Sequence, residues 1–278
     1  MARSLKDMTV VVTGASAGIG KALCEELDKL GAKLVLSARR DDRLQQLNAK
    51  LGGRHLVVQA DVSKQEDCLR LIETAQQTLG RIDTLVCNAG YGFYSTVRDT
   101  PPERLREIFA TNVFGTTDCL QAACPGMLRQ PLRDGYRGQM MIVSSFVARR
   151  AVPCLGPYSA TKAAQLSIAE AMRVELRDQR IAVTTVHPIM TRTEFGTASE
   201  QLGDLTLPRD GDSMTQTVEH VVGRMVQAIQ KPRPEVWPSR PSRWVAGFGA
   251  LLPGLMDRGM LKYFHNLQRT NPNASINR

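Results

Sequence analysis

The sequence predicts an α/β fold: a single doubly wound domain with a parallel sheet and helices on both faces. Three observations carry that expectation. Short apolar runs rich in β-branched residues alternate with segments of helical period from residue 8 to residue 237. A glycine-rich turn joins the first such run to the first helix. No linker, internal repeat or low-complexity segment divides the chain, and 278 residues suffice for one large α/β core.

Taken in order, Met8 to Val12 reads as a strand and is followed by Thr13-Gly14-Ala-Ser16-Ala-Gly18-Ile19-Gly20. Residues 21–32 place apolar side chains at helical spacing, with Gly31 as a stop. KLVLS at 33–37 is a second strand, 41–51 a helix and His55 to Gln59 a third strand. Ser63 is predicted to cap a helix over 64–79, with Glu66 closing a capping box. Asp83 to Cys87 is a fourth strand leading into Asn88-Ala89-Gly90. One long helix is expected from Glu103 to about Arg129, then a strand at Met140 to Val143 and a helix over 158–178. Ile181 to Val186 is a strand ending at His187-Pro188, residues 190–213 are polar and irregular, and 217–229 is helical. Glu235-Val236-Trp237 lies between prolines, which restricts it to an edge strand.

Composition narrows the function classes. Hydrophobic content of 42% and charged content of 23% are those of a soluble globule. No run has the roughly 20 apolar residues needed to span a bilayer. Lys6 and Asp7 interrupt the N-terminus before a signal-peptide core can form, so a cytoplasmic chain is expected. The six cysteines form no C-x-x-C pair and are expected to be reduced and mostly buried. The four histidines are scattered without zinc spacing, and no metal site is expected. The net charge is +9, but from Lys231 onward eight basic residues face two acidic ones. The excess is a property of the tail. It does not resemble a nucleic-acid groove, which interleaves basic residues with stacking aromatics.

The chemistry is concentrated near Tyr158. Tyr158 and Lys162 are four apart and share a helix face. A phenol titrates near ~10, so a neighbouring ammonium that favours the phenolate would make it a better proton shuttle. Ser145, at the end of the preceding strand, can reach the same point and polarise a carbonyl oxygen. At the other end of the chain, Gly14, Gly18, Ile19 and Gly20 open a helix where backbone N–H groups can meet a pyrophosphate. A site for NAD needs a carboxylate after the second strand, but this chain reads Ser37-Ala38-Arg39-Arg40. Two guanidiniums with Ser16 suit a 2′-phosphate, and the expected cofactor is NADP(H). Asp61-Val62 would border the adenine, and Asn88-Ala89-Gly90 brings a second turn to the carboxyl edge of the sheet.

These motifs together resemble the short-chain dehydrogenase/reductase family over most of the chain, from Thr9 to about Trp237. They appear as TGASAGIG at 13–20, DV at 61–62, NAG at 88–90, Asn112, Ser145, YSATK at 158–162, and Pro188 with Thr193. The resemblance implies a Rossmann-type, seven-stranded parallel sheet. It implies Tyr158 as general acid/base, Lys162 lowering the Tyr158 pKa and bonding the nicotinamide ribose, and Ser145 orienting the substrate oxygen. It further implies Asn112 holding a water that links Lys162 to solvent. Tyr158, Lys162, Pro188, Thr191 and Thr193 would contact the nicotinamide half. Ile189 stands where the family usually has glycine, which bars a glycine-only backbone there. By the same resemblance the chain is a homodimer or homotetramer built on helices 103–129 and 158–178.

Phe146, Leu155 and Phe195 are expected to wall a substrate pocket, with the loop at about 190–216 over it. That wall suits a hydrophobic carbonyl or alcohol such as a steroid, retinoid, fatty-acyl or aromatic compound. The catalytic domain is expected to run over 1–239, with 240–278 a basic apolar tail. Trp244 to Met256 carries no charge and is flanked by Arg240, Arg243, Arg258 and Lys262. A lid, a subunit contact or a segment on a membrane surface all fit it. Pro253 and the nearby glycines argue against one continuous helix. Two other classes are a redox-sensing NADPH binder without chemistry and a membrane-surface scaffold.

Overall fold

The computed structural model describes residues 2–191, 200–201 and 215–269. The strands are β1 (Thr9–Thr13), β2 (Lys33–Ala38), β3 (Leu56–Gln59), β4 (Thr84–Cys87), β5 (Phe93–Tyr94), β6 (Gly138–Val143), β7 (Ile181–Val186), β8 (Glu200–Gln201) and β9 (Glu235–Val236). The helices are α1 (Gly18–Lys29), α2 (Asp41–Lys50), α3 (Gln65–Leu79), α4 (Pro102–Phe109), α5 (Gly115–Arg129), α6 (Gly156–Glu175), α7 (Val218–Gln230), α8 (Arg240–Leu251) and α9 (Pro253–Arg269).

Seven strands form a parallel sheet in the order β3-β2-β1-β4-β6-β7-β9. Alternation along each strand separates two cores. Val10, Val12, Leu34 and Leu36 pack with the inner faces of α1 and α7. Val11, Val35 and Leu85 pack on the other side with α3 and α5. Each strand must therefore be apolar on both faces, which is why the sequence shows continuous rather than alternating hydrophobic runs. The strand order reverses between β1 and β4, and ligands bind at that switch point, beyond the carboxyl ends of the strands. Thr13-Gly14 and Asn88-Ala89-Gly90 lie there. The edge-strand assignment holds: among the described residues β9 pairs with β7 alone, through Thr185–Glu235 and Val186–Val236.

The amino edge is tied by a buried carboxylate. Asp83 is fully buried and accepts from Thr9 N at 2.9 Å, Arg81 Nε at 2.7 Å and Arg133 Nη1 at 3.1 Å. Arg3 is also buried, and it donates to Gln139 Oε1 at 2.9 Å and to the Asp83 carbonyl at 3.1 Å.

Two local expectations are corrected. The helix expected over 103–129 is interrupted by a π-helical turn at Ala110–Phe114. Thr116 and Thr117 hydroxyls bond back to the carbonyls of Asn112 and Val113, and such side-chain competition loosens the regular ladder. The capping box also fails to form. Ser63 donates its N–H and hydroxyl to Asp61 Oδ1, α3 starts at Gln65 after Lys64, and no side chain caps it. The tail folds as two helices, α8 and α9, parted at Leu252 just before Pro253. No described helix is long and apolar enough to cross a membrane. Of the six free thiols, all but the half-buried Cys124 are buried.

Candidate active site

The glycine turn is a cradle held by the fourth strand. Gly14 and Gly18 sit at φ +68° and +54°, where a side chain would be strained. A Cβ on Gly20 would come within 2.4 Å of the Gly14 carbonyl and 2.5 Å of Asn88 Nδ2. Thr13 Oγ1 accepts from the N–H groups of Asn88 and Ala89, both at 3.1 Å. Asn88 Nδ2 donates back to the carbonyls of Thr13 at 3.0 Å and Gly14 at 3.2 Å. The two turns are therefore one rigid unit. No side chain caps α1 and no acid sits in its first turn, so its N-terminal amides face the cradle without an internal anion.

Beyond β2, Arg40 Nη2 donates to Ser16 Oγ at 3.1 Å, which brings this guanidinium beside the glycine turn. The Arg39 side chain is exposed, and its carbonyl accepts from Gln59 Nε2 at 2.9 Å. Asp61 receives Ser63 on its carboxylate, and its N–H donates to Asp67 Oδ2 at 2.8 Å. Val62 is buried in the core, and a Cβ on Gly115 would meet its carbonyl at 2.2 Å. Ile19 packs half-buried against the core under α1.

The chemistry-bearing residues meet next to this unit. A Cβ on Gly90 would lie 3.0 Å from Asn112 Oδ1 and 3.6 Å from Lys162 Nζ, so the second turn touches both. Lys162 Nζ lies 5.6 Å from the centroid of the Tyr158 ring, within cation–π reach. The Ser145 side chain hydrogen-bonds Tyr158. Ser145 also caps a short 3₁₀ turn at Phe146–Ala148 by accepting from Val147 N at 3.3 Å. Ser144 is turned away and donates to the Lys162 carbonyl at 3.1 Å, so Ser145 is the serine that faces the phenol.

Burial governs the titration. It raises the Tyr158 phenol well above its usual value, with the Ser145 hydrogen bond opposing and Tyr94 adding to the rise. It pushes Lys162 down to about 7, because its bonds to the Val143 carbonyl at 2.9 Å and Gln165 Oε1 at 3.0 Å both go to neutral oxygens. In the free chain the Tyr158 shift is set by burial, with Lys162 Nζ placed 5.6 Å from the ring centroid. The chain by itself holds a neutral phenol beside an amine poised between charge states.

Asn112 is fully buried in the π turn. Its amide donates to the Tyr91 carbonyl at 2.9 Å and Thr161 Oγ1 at 3.0 Å, and accepts from Tyr91 N at 3.0 Å. Its backbone carbonyl accepts from Gln165 Nε2 at 2.6 Å and Thr116 Oγ1 at 2.8 Å. Lys162 and Asn112 are thus linked through the Gln165 amide. Gln165 was missed in the sequence, although its position three after Lys162 on one helix puts it on the same face.

Pro188 accepts from Phe146 N at 2.9 Å through its carbonyl, which anchors the loop after β7 to the loop after β6. Ile189 is not among the described residues with positive φ, so its side chain is accommodated in ordinary backbone. Thr191 Oγ1 donates to the Ile189 carbonyl at 2.9 Å and accepts from Gln216 Nε2 at 3.2 Å. His187 is buried and stacked on Trp237 at 4.3 Å, and burial pushes it down to about 4. Phe146 and Leu155 are half-buried around the loop between Ser145 and Tyr158. Thr193 and Phe195 lie outside the described residues.

Comparison with known proteins shows the family and the fold. The family model for short chain dehydrogenase matches residues 8–202. "Uncharacterized oxidoreductase YxnA" of Bacillus subtilis (strain 168) is 31% identical over 271 residues, covering 96% of this chain and 75% of that protein. "11-beta-hydroxysteroid dehydrogenase A" of Arachis hypogaea is 38% identical over 202 residues, covering 70% of this chain but only 55% of that protein. A short chain dehydrogenase from Burkholderia cenocepacia J2315, solved in complex with NADP, superposes with a TM-score of 0.77 at 26% identity, over 93% of this chain and 99% of that one. The chain belongs to the short-chain dehydrogenase/reductase family and is an oxidoreductase acting on CH–OH and C=O groups.

Proposed function

We propose that this protein is an NADP(H)-dependent carbonyl reductase, or the reverse alcohol dehydrogenase, for a hydrophobic substrate, with Tyr158 moving the proton. The observation that carries the reading is the meeting of Tyr158, Ser145 and Lys162 beside the Asn88–Gly90 turn. The residues present fit the nucleotide: the Gly14–Gly20 cradle, the uncapped start of α1, and Arg40 with Ser16. When bound, NADP(H) supplies or accepts the hydride. Ser145 fixes the substrate oxygen, and Tyr158 gives it a proton in reduction or takes one in oxidation. A phenol held neutral by burial is the form that donates. Lys162 restores the proton from its place under the Tyr158 ring, and Asn112 and Gln165 position that lysine. The half-buried Phe146 and Leu155 and the name of the Arachis hypogaea relative support a steroid-like, retinoid, fatty-acyl or aromatic substrate. Absorbance of NADPH across a panel of such carbonyls tests the reading. Carbonyl-dependent loss of NADPH is expected, and NADPH binding with no turnover on any member would turn the reading to a non-catalytic binder.

Cofactor choice rests on Arg40. Arg40→Ala is expected to cut the kcat/KM preference for NADPH over NADH by about tenfold to a hundredfold, the worth of charge-assisted hydrogen bonds. An unchanged preference would move the 2′-phosphate contact away from this arginine.

Lys162 gives a pH signature. In the free chain it loses its charge as pH rises through about 7. A nucleotide that engages it as a cation raises that value. NADP(H) binding at pH 8 should then take up about one proton, and at pH 6 about none. Calorimetry in two buffers of different ionisation enthalpy reads this, and Lys162→Met should erase the uptake. Equal uptake at both pH values would contradict the role given to Lys162.

The reading includes a homo-oligomer. Phe114 and Val174 are exposed, and Leu128 lines an apolar groove with Cys124 and Met172 between α5 and α6.

A further inference from the structure

We infer that the C-terminal helix pair α8–α9 docks on an anionic lipid surface and holds the loop that leads from Ser145 to Tyr158 beside it. The helices show which faces are free. Successive residues turn by about 100°. On α8 the buried Ser242, Ala246 and Gly249 mark the inward face. Opposite them stand Trp244 and Leu251, 80% and 79% exposed, with Arg240 and Arg243 beside them. On α9, Met256, Met260, Phe264 and Leu267 face inward. Leu255, Arg258, Leu261 and Lys262 face out and are exposed. These outer faces set large apolar side chains and cations together.

Charge complementarity selects the occupant. Over 238–269 the single carboxylate is Asp257, and Arg150 donates to it. Among the described residues the exposed surface of the pair therefore carries four cations, and its one carboxylate, the exposed Asp257, is already paired with Arg150. A two-fold contact with a second copy would press this patch against itself and bring like charges together. A bilayer bearing anionic headgroups meets both needs: it takes the apolar side chains into its interface and the guanidinium and ammonium groups onto its phosphates.

The pair also packs on the loop that leads from Ser145 to Tyr158. Arg150 and Cys154 belong to the loop between Ser145 and Tyr158. Asp257 pairs with the first, and Leu267 and Phe264 pack on the second. A lipid surface under α8–α9 would thus adjoin the loop that joins Ser145 to Tyr158. This inference stands apart from the redox reading, because binding is measured without cofactor or substrate.

The two tryptophans give a clean readout, since Trp237 is buried and Trp244 exposed. The 278-residue protein is mixed with vesicles of phosphatidylcholine alone or with phosphatidylserine added. Cosedimentation and a blue shift of Trp244 emission are expected with phosphatidylserine, at least about tenfold stronger than without it. Trp244→Glu with Leu251→Glu should lose that binding by about tenfold or more while leaving the Tm unchanged. Arg243→Glu with Lys262→Glu should remove the preference for the anionic vesicles. Failure to bind either vesicle, or binding that the variants do not change, would overturn the inference. So would an oligomer that dissociates when Trp244 and Leu251 are replaced, because a second copy would then be what covers the face.

Discussion

Replacing Tyr158 by phenylalanine is expected to lower kcat for carbonyl reduction by about 10²- to 10⁴-fold, the range for removing a positioned general acid. Phenylalanine keeps the ring, and with it the packing over Lys162, but removes the hydroxyl that bonds Ser145 and would give the substrate oxygen its proton. The nucleotide cradle is built by Gly14, Gly20, Asn88 and Thr13, which hold one another together through their own contacts. NADPH affinity should therefore stay within about threefold of the parent, since no cradle contact is lost. Steady-state NADPH oxidation together with fluorescence titration of the nucleotide separates these quantities. A parallel loss of binding and turnover would instead make Tyr158 a structural residue.

The largest stability effect is expected at the other end of the sheet. Asp83→Ala should cost about 3 kcal/mol or more, because it leaves buried or half-buried cations without their carboxylate. Arg3 is the sharpest case. Burial already pushes its pKa down, and the Asp83 charge is the first influence opposing that. Thr9 N would also lose its acceptor at the start of β1. For a chain of this size the Tm should fall by roughly 10 °C. Turnover at low temperature should persist, since Asp83 precedes β4 and the catalytic residues follow the carboxyl ends of β4 and β6. Thermal unfolding followed by circular dichroism checks the shift; a change within a degree or two would mean that solvent replaces the lost carboxylate.

Much of the architecture was legible because it is written in local pattern. Continuous apolar runs at β1, β2 and β6 marked strands covered on both faces, and the prolines around Glu235-Val236 marked an edge. The glycine turn was legible for the same reason, since positive φ at Gly14 and Gly18 and the close approach at Gly20 demand that residue type. What the sequence misjudged depends on competition that only folding decides. Ser63 had the spacing of a helix cap, but Asp61 is nearer and takes both of its donors. The segment 103–129 had helical period throughout, yet the hydroxyls of Thr116 and Thr117 and the buried Asn112 amide favour a wider turn.

The site divides in the same way. The i, i+4 spacing of Tyr158 and Lys162 placed them together, and Ser144 bonds the Lys162 carbonyl while Ser145 lies on the side of the phenol. The direction of the Tyr158 shift was not legible, because desolvation reflects everything packed around the hydroxyl and no spacing encodes it. Gln165 lay in plain view, but an amide reads as surface until the partners at Lys162, Asn112 and Thr116 close around it. Spacing likewise did not distinguish Arg40 from Arg39, and the proposal for Arg40 rests on its contact with Ser16.

Transfer of deuterium from the C4 position of labelled NADPH into an alcohol product, followed by mass spectrometry for the parent chain and Tyr158→Phe side by side, probes the proton-donor assignment at its root. The parent chain should yield alcohol labelled at the carbinol carbon, and the variant should yield next to none in the same time. Labelled alcohol formed equally fast without the phenol would contradict the account.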